Sequence, residues 1–409
     1  MVRRFDQKSR WICLITLLMI LAVTSGCGDD ERVVYRDTEW VEIGGIVAMS
    51  DNSPIWGRSC LEALRLAEAD VNETLTNQGS GKRVRLIYGD SATDPVVADY
   101  LLQSFISQGA RAVIGPLTSS ELLAMADTIN ASESIIISPS STLSQLSVTD
   151  DNIFRMVPDD RLMIEAIVQA LLYKGIQHLV VMYIDDVWGT ALFDDLSRSF
   201  EQRGGTILGS RNYLNLRADI LQANLDDLSQ MVSDQMAVDD LSKIGFMLIC
   251  YDEGLGIVEM AASVPVLGEI RWFGTDGFVK YRSLLENETA ASFAVQTEYL
   301  APALEVALTP EGEILKDKIE TATGGLPATH YSLLAYDAFR AAAEVLLNSP
   351  SNISIDDLRN GIFSEFGYHQ WATGTIDLNE AGDQAEGTYY FWTVKADGDS
   401  YAWQHELTV

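Results

Sequence analysis

The chain has 409 residues, 47% of them hydrophobic, and a formal net charge of −31. Its length exceeds what one hydrophobic core usually supports, and its hydrophobic content excludes an intrinsically disordered chain. The excess of carboxylates would repel phosphate backbones, so the composition also excludes a nucleic-acid-binding protein. A small solute held in a cleft is compatible with this charge, and so is a surface that is acidic only for solubility.

The N-terminal segment has the pattern of an export signal. Basic residues at positions 3, 4, 8 and 10 precede an apolar run over 11–23, which is too short to span a membrane. The run ends in a Thr-Ser-Gly-Cys junction at Cys27 that resembles the lipobox of bacterial lipoproteins. We therefore predict a signal peptide over 1–26, lipidation of Cys27 and a polar tether over 27–40. The protein would then be anchored to a membrane, in the periplasm or at the cell surface. The alternative is a buried N-terminal helix with an incidental cysteine.

From residue 41 onward, short apolar runs alternate with amphipathic helical patterns. A first series predicts strands at 41–49, 84–88, 112–114 and 135–137, and helices at 57–75, 95–107 and 120–130. A second series predicts helices at 162–173, 191–203 and 218–231, and strands at 178–183, 206–208, 244–250 and 270–273. The last third predicts a helix at 331–347 and strands at 373–378 and 389–394. Short strands separated by helices imply parallel sheets with right-handed crossovers, so the predicted fold class is α/β with two doubly wound lobes.

The cysteines and histidines do not have the spacing of metal ligands. If Cys13 leaves with the signal peptide and Cys27 is lipidated, Cys60 and Cys250 remain, and we predict two buried free thiols; a disulfide is the alternative in an oxidising compartment. No G-x-S-x-G motif follows a predicted strand, and the aspartate pairs at 159–160 and 185–186 lack the pattern of calcium loops. We therefore predict no metal, no cofactor and no catalytic residues, hence a protein that is not an enzyme.

Polar loops follow three strands of the first predicted sheet. They contain Trp56 after the first strand, Ser119 after the third, and Ser141 and Thr142 after the fourth. In open α/β sheets, ligands bind beyond the carboxyl ends of the strands, where helix N-termini favour anionic groups such as a carboxylate. Helix capping is the alternative role for any single Ser or Thr. Three such loops at one sheet edge predict a binding site there.

Six segments occur in a fixed order along the chain: IVAMSDNSPIWG, VIGPLTSSE, IISPSST, FRMVPDD, YIDDVWG and WFGTDG. Together with TGTIDLN at 373–379, they resemble the type I periplasmic binding proteins, and within these the leucine/isoleucine/valine-binding group that serves ABC transporters. The resemblance runs from about residue 41 to the C-terminus. It implies two lobes joined by a multi-strand hinge, with the following boundaries: 41–155 plus 303–360 for one lobe, and 156–302 plus 361–409 for the other.

The resemblance also implies roles for individual residues. The α-carboxylate of an amino acid would be held by Ser119, Ser141 and Thr142, and its α-ammonium would face Asp276 in the Gly-Thr-Asp-Gly turn. The aromatic residues implied at the ligand are Trp56, Trp188 and Tyr251. The alternatives are a turn-forming Asp276 and tryptophans that only pack.

These observations predict a solute-binding lipoprotein that captures an amino acid or a related small solute by lobe closure. Its predicted partners are the small-molecule ligand, the membrane that holds the lipid anchor, and an ABC permease in the inner membrane. The alternative is a ligand sensor or envelope scaffold with the same fold and no transporter.

Overall fold

The computed structural model describes residues 38–50, 54–214, 216–305 and 308–409. The predicted signal peptide and Cys27 lie outside these residues, as does most of the predicted tether. The predicted end of the tether at residue 40 is two residues too late, because the first strand already begins at Glu39. Within the described ranges, no helix combines the length and the hydropathy of a membrane span.

The first part of the described chain forms a parallel sheet of five strands. These strands are β1 (Glu39–Val47), β2 (Lys82–Asp90), β3 (Ala112–Ile114), β4 (Ile135–Ser138) and β5 (Ile153–Arg155). Their order is β2-β1-β3-β4-β5, and every neighbouring pair is parallel. The connecting helices are α1 (Pro54–Asn77), α2 (Pro95–Ser107) and α3 (Ser119–Asn130). Every residue of β3, β4 and β5 is buried, as expected for strands covered by helices on both faces.

A second sheet contains seven strands. They are β6 (His178–Ile184), β7 (Thr206–Tyr213), β8 (Ile244–Ile249), β9 (Arg271–Phe273), β10 (Leu300–Glu305), β13 (Thr388–Asp397) and β14 (Ser400–Thr408), while β11 (Gln370–Trp371) and β12 (Gly374–Thr375) form a separate small ribbon. The order in the sheet is β14-β13-β10-β9-β8-β6-β7. Strands β13 and β14 are antiparallel additions to a parallel sheet. Of the strand predicted at 373–378, only the two residues of β12 form a strand.

The remaining helices divide between the two sheets. They are α4 (Asp160–Tyr173), α5 (Val187–Gln202), α6 (Ala218–Met236), α7 (Gly254–Ala261), α8 (Arg282–Glu286), α9 (Glu288–Gln296), α10 (Pro310–Ala322), α11 (His330–Asn348) and α12 (Ile355–Tyr368). Helix α11 packs against α1 and β1, and α10 and α12 pack against α11. We call the five-stranded sheet with α1–α3 and α10–α12 the N-lobe, and the seven-stranded sheet with α4–α9 the C-lobe. A parallel sheet and a mainly parallel sheet, each with flanking helices, confirm the predicted α/β fold class.

The chain passes between the lobes three times, after β5, after β10 and after α12. The predicted boundaries at 302/303 and 360/361 fall inside β10 and α12, so those two crossings lie further along the chain. Cys60 in α1 and Cys250 after β8 lie in different lobes, and both are buried free thiols, as predicted. Burial raises the pKa of Cys60 to about 12, which makes its thiol a poor nucleophile.

A buried ion pair joins two of the crossing segments. Arg155, at the end of β5, donates from Nε to Asp383 Oδ1 at 2.5 Å and from Nη2 to Asp383 Oδ2 at 2.7 Å. Its Nη1 donates to the carbonyl of Leu143 at 2.7 Å. The exposed fractions of the two charged side chains are 0% and 1%. This bidentate pair fixes the first crossing segment to the third.

Candidate ligand-binding cleft

Each sheet reverses its strand order at one point, and both points face the same cleft. The reversal lies between β1 and β3 in the N-lobe and between β6 and β8 in the C-lobe. The loops that leave the carboxyl ends of the strands diverge at such a point and open a crevice. Residues that follow β1, β3, β4, β6, β8 and β9 line a cavity of about 670 Å³. This volume is within the range of small-molecule binding sites.

Six of the seven predicted ligand-binding residues line this cavity: Trp56, Ser119, Thr142, Trp188, Tyr251 and Asp276. Ser141 does not. Its buried hydroxyl donates to Ser119 Oγ at 3.1 Å, and the N–H of Leu143 donates to the same oxygen at 3.3 Å. Since Ser119 Oγ accepts both of these hydrogen bonds, its own hydrogen is left to donate into the cleft. Ser141 therefore positions Ser119.

The N-terminus of α3 forms part of the N-lobe wall. Thr118 and Glu121 form a capping box there, with Thr118 Oγ1 donating to Glu121 Oε2 at 2.6 Å. The cap places Ser119 and Ser120 in the first turn of the helix, and both line the cleft. Backbone N–H groups and the helix dipole at such an N-terminus favour an anion. This wall of hydroxyls and helix N–H groups suits a carboxylate.

A glycine brings the start of α1 close to the end of β1. A Cβ atom on Gly57 would lie 1.7 Å from the carbonyl oxygen of Ala48, so only glycine allows this approach. This close contact fixes the position of the first turn of α1, which holds Trp56 at the cleft. Trp56 therefore lies in a helix, and its predicted position in a loop is wrong. Trp188 was likewise predicted in a loop and lies in the first turn of α5.

Aromatic side chains from the two lobes meet at one end of the cleft. The ring of Trp56 lies 5.3 Å from that of Tyr331 in α11 and 6.3 Å from that of Tyr281, which follows β9 in the C-lobe. The Tyr331 hydroxyl donates to Asp276 Oδ2 at 3.0 Å, which is a direct hydrogen bond between the lobes. In this conformation the lobes therefore contact each other across the site.

The opposite wall, in the C-lobe, combines aromatic rings and carboxylates. Trp188 and Tyr251 stack with their ring centroids 4.6 Å apart. Asp186 caps α5 by accepting the N–H of Gly189 at 2.7 Å, and the Tyr251 hydroxyl lies 3.4 Å from its other oxygen. Glu253 Oε1 accepts the hydroxyl of Tyr213 at 2.8 Å and the N–H of Tyr251 at 3.2 Å. Both carboxylates are thus held in fixed positions on this wall.

Two further carboxyl groups, Asp276 and Asp160, differ in pKa. Burial raises the pKa of Asp276 to about 6, although the Tyr331 hydrogen bond favours the ionised form. Asp160, the first residue of α4, is 2% exposed, and both of its carboxyl oxygens are buried. Burial and the charge of Asp276 raise the pKa of Asp160 to about 8, while Thr142, Trp188 and Arg155 oppose that rise. The pKa of Asp276 is therefore the lower of the two, and Asp276 ionises first as the pH rises.

The family model of the receptor family ligand binding region matches residues 59–397 of the sequence. The chain belongs to this family. A family defined by ligand binding confirms the prediction of a binding protein and not an enzyme. The sequence is 26% identical over 396 residues to an uncharacterized protein of Methanocaldococcus jannaschii, and the match covers 92% of this chain and 90% of that protein.

Solved structures share the fold of this binding protein. A leucine-binding protein from Thermotoga maritima has a TM-score of 0.72 at 18% identity, covering 90% of this chain and 98% of that one. An ABC transporter solute-binding protein from Rhodopseudomonas palustris, in complex with 3,4-dihydroxybenzoic acid, has a TM-score of 0.69 at 17% identity, covering 90% and 97%. These matches confirm the type I periplasmic binding protein fold. Because the two neighbours take different solutes, the ligand must be inferred from the residues that line the cleft.

Several residues of the binding protein's cleft were not predicted. Asp160 and Asp186 belong to the segments FRMVPDD and YIDDVWG, but their sequence pattern predicts no ligand contact for them. The sequence feature that could have identified them is their position at the start of a predicted helix or just before it, although Asp at such a position commonly serves only as a helix cap. Glu253 and Tyr213 are brought together from opposite sides of β6. Tyr331 had no local signal, since only the packing of α11 in the N-lobe brings it to the cleft.

Proposed function

We propose that this protein is an extracytoplasmic solute-binding lipoprotein that captures an amino acid or a related small solute for an ABC transporter. The observation that best supports this function is the pairing of two complementary walls in one cleft. The N-lobe wall offers the hydroxyls of Ser119 and Thr142 and the N-terminus of α3, and the C-lobe wall offers ionised Asp276. The α-carboxylate would bind the first wall and the α-ammonium the second.

The free energy expected from these contacts is compatible with reversible binding of a solute. A hydrogen bond between an ammonium and a carboxylate contributes ~1.5–3 kcal/mol. The Asp276 carboxylate accepts the Tyr331 hydroxyl and the backbone N–H groups of residues 276 and 277, and a carboxylate can accept a further hydrogen bond from an ammonium. The aromatic contact of Trp56, Tyr281 and Tyr331 would shut the cleft over the bound solute and exclude water. Lobe closure would thus be coupled to ligand binding.

A thermal-shift screen of the common amino acids on the purified protein tests this function. A ligand at 100 times its dissociation constant stabilises the native state by ~2.7 kcal/mol, so at least one amino acid should raise the melting temperature clearly. A panel in which no amino acid shifts the transition would contradict the proposed ligand class.

Lipid anchoring through Cys27 is tested by fractionation. The full-length protein should remain with the membrane fraction until detergent is added, whereas the Cys27→Ala variant should appear in the soluble extracytoplasmic fraction. The physical reason is that acyl chains on Cys27 would be the only strong membrane contact we expect. Equal release of the two proteins would show that Cys27 is not an anchor.

A further inference from the structure

We propose that the solute is a basic amino acid, whose second, side-chain cation is held in the C-lobe half of the cleft by Asp186 and Glu253. This inference rests on the proposed function, because it assumes that the α-ammonium binds Asp276. It adds a second cation subsite on the wall formed by Trp188, Tyr213 and Tyr251.

The charged residues that line the cleft are all acidic. Four of its lining residues are acidic, namely Asp186, Asp252, Glu253 and Asp276, and within the described part of the chain none of the lining residues is Lys, Arg or His. One carboxylate is enough to pair with the α-ammonium of an amino acid. A neutral side chain would leave the carboxylates of Asp186 and Glu253 in the cleft without a ligand cation, and an uncompensated buried charge is costly.

Among the described residues, no basic side chain is paired with either carboxylate of the proposed subsite. Burial raises the pKa of both Asp186 and Glu253, and the groups that oppose this rise are hydrogen-bond donors, not cations. For Asp186 the donors are the backbone N–H groups of Gly189 and Trp188 and the Tyr251 hydroxyl, with Asp185 adding a like charge. For Glu253 they are Tyr213 and the backbone around 251–253, with Asp252 adding a like charge. A ligand cation would supply the missing counter-charge.

The geometry of the wall is also suited to an organic cation. Tyr251 makes hydrogen bonds with both carboxylates. Its hydroxyl donates to Asp186, and its backbone N–H donates to Glu253. The indole of Trp188 stacks on the same tyrosine. An alkyl chain that ends in an ammonium or guanidinium would place its methylenes on these rings and its charge near their faces and the carboxylates.

Asp160 adds a further buried carboxyl group beside the cleft. Both of its carboxyl oxygens are buried, and its polar neighbours Thr142 and Trp188 both line the cleft. A carboxyl group in this position stabilises a nearby cation when it ionises. Among the described residues, no three His, Cys, Asp or Glu side chains converge as metal ligands, so we infer an organic cation.

Calorimetry with L-lysine, L-arginine and L-norleucine tests the subsite. Norleucine has nearly the shape of lysine without the second ammonium. We expect lysine or arginine to bind at least about tenfold more tightly than norleucine, equivalent to about 1.4 kcal/mol. The Glu253→Gln and Asp186→Asn variants should lower the affinity for the basic amino acid at least about tenfold and leave norleucine within about twofold.

Both variants preserve the local hydrogen bonds, because Gln keeps an acceptor for Tyr213 and Asn remains a good helix cap. Glu259→Gln is the matched control, since Glu259 is exposed on α7 in the same segment; it should bind all three ligands as wild type does. If norleucine or another neutral amino acid binds as tightly as the basic ones, the subsite is refuted while the proposed function stands. If no amino acid of either kind binds, the proposed function itself is refuted.

Discussion

Replacing Asp383 with alanine is expected to destabilise the protein by about 3–5 kcal/mol, because the charge of Arg155 would then be buried without a partner. Both side chains of this pair are almost fully buried, and Arg155 reaches Asp383 with two hydrogen bonds. Urea unfolding at neutral pH, followed by tryptophan fluorescence, measures the change. The double variant Asp383→Ala with Arg155→Leu should recover much of the loss, because removing both charges also removes the cost of burying them.

The matched control is an ion pair on the surface. Arg282 and Glu286 are 2.7 Å apart, with side chains 78% and 61% exposed. Glu286→Ala should therefore change the free energy of unfolding by no more than about 1 kcal/mol. An Asp383→Ala variant that loses no more stability than Glu286→Ala would show that the buried pair does not hold the crossing segments together.

The parts of the fold that were predicted well have strong local signals. Helix α2 was predicted with its observed bounds, because Asp94 caps it by accepting two backbone N–H groups and Pro95 occupies its first position. Strand β10 was missed because Pro302 interrupts its pattern. Strand β14 was missed because it is an edge strand with few buried residues, so it has no apolar run.

The N-lobe wall of the cleft was predictable from the loops that follow strands, whereas the roles of Trp188, Tyr251 and Asp276 came only from the resemblance to a known family. Trp56, Ser119, Thr142, Trp188, Tyr251 and Asp276 all follow strands, and the carboxyl ends of parallel strands meet at one edge. Their partners depend on tertiary structure. Tyr331 is 55 residues from Asp276, and Tyr213 is 40 residues from Glu253. No local pattern relates such distant residues, so the acidic character of the C-lobe wall emerged only from the fold.

Replacing Asp276 with asparagine is expected to weaken amino-acid binding at least about tenfold, or 1.4 kcal/mol. Asparagine keeps the shape and can still accept the Tyr331 hydroxyl, but it removes the charge that faces the α-ammonium. The fold should survive. The pKa of Asp276 is higher in the folded protein, at about 6, than the ordinary value of 3.8, so its ionisation costs stability as the pH rises between these values. At neutral pH the variant should therefore be as stable as wild type or more so.

The same residue predicts how affinity depends on pH. If binding requires ionised Asp276, about a tenth of the free protein is competent at about pH 5, and the apparent affinity should be about tenfold lower there than near pH 7.5. Burial also raises the pKa of the neighbouring carboxyl groups of Asp160, Asp186 and Glu253, so their protonation at low pH should also lower the affinity for a cationic ligand. Asp276→Asn should lose much of this dependence.

Calorimetry of wild type and Asp276→Asn, each with the best-binding amino acid and with its analogue lacking the α-amine, tests the central claim most directly. The four dissociation constants form a cycle that isolates the coupling between the carboxylate and the ammonium. We predict that the analogue binds wild type poorly and loses little further in the variant, while the amino acid loses at least about tenfold. If the variant binds the amino acid as tightly as wild type, Asp276 is only a turn residue, and the assignment of this cleft to amino acids is wrong.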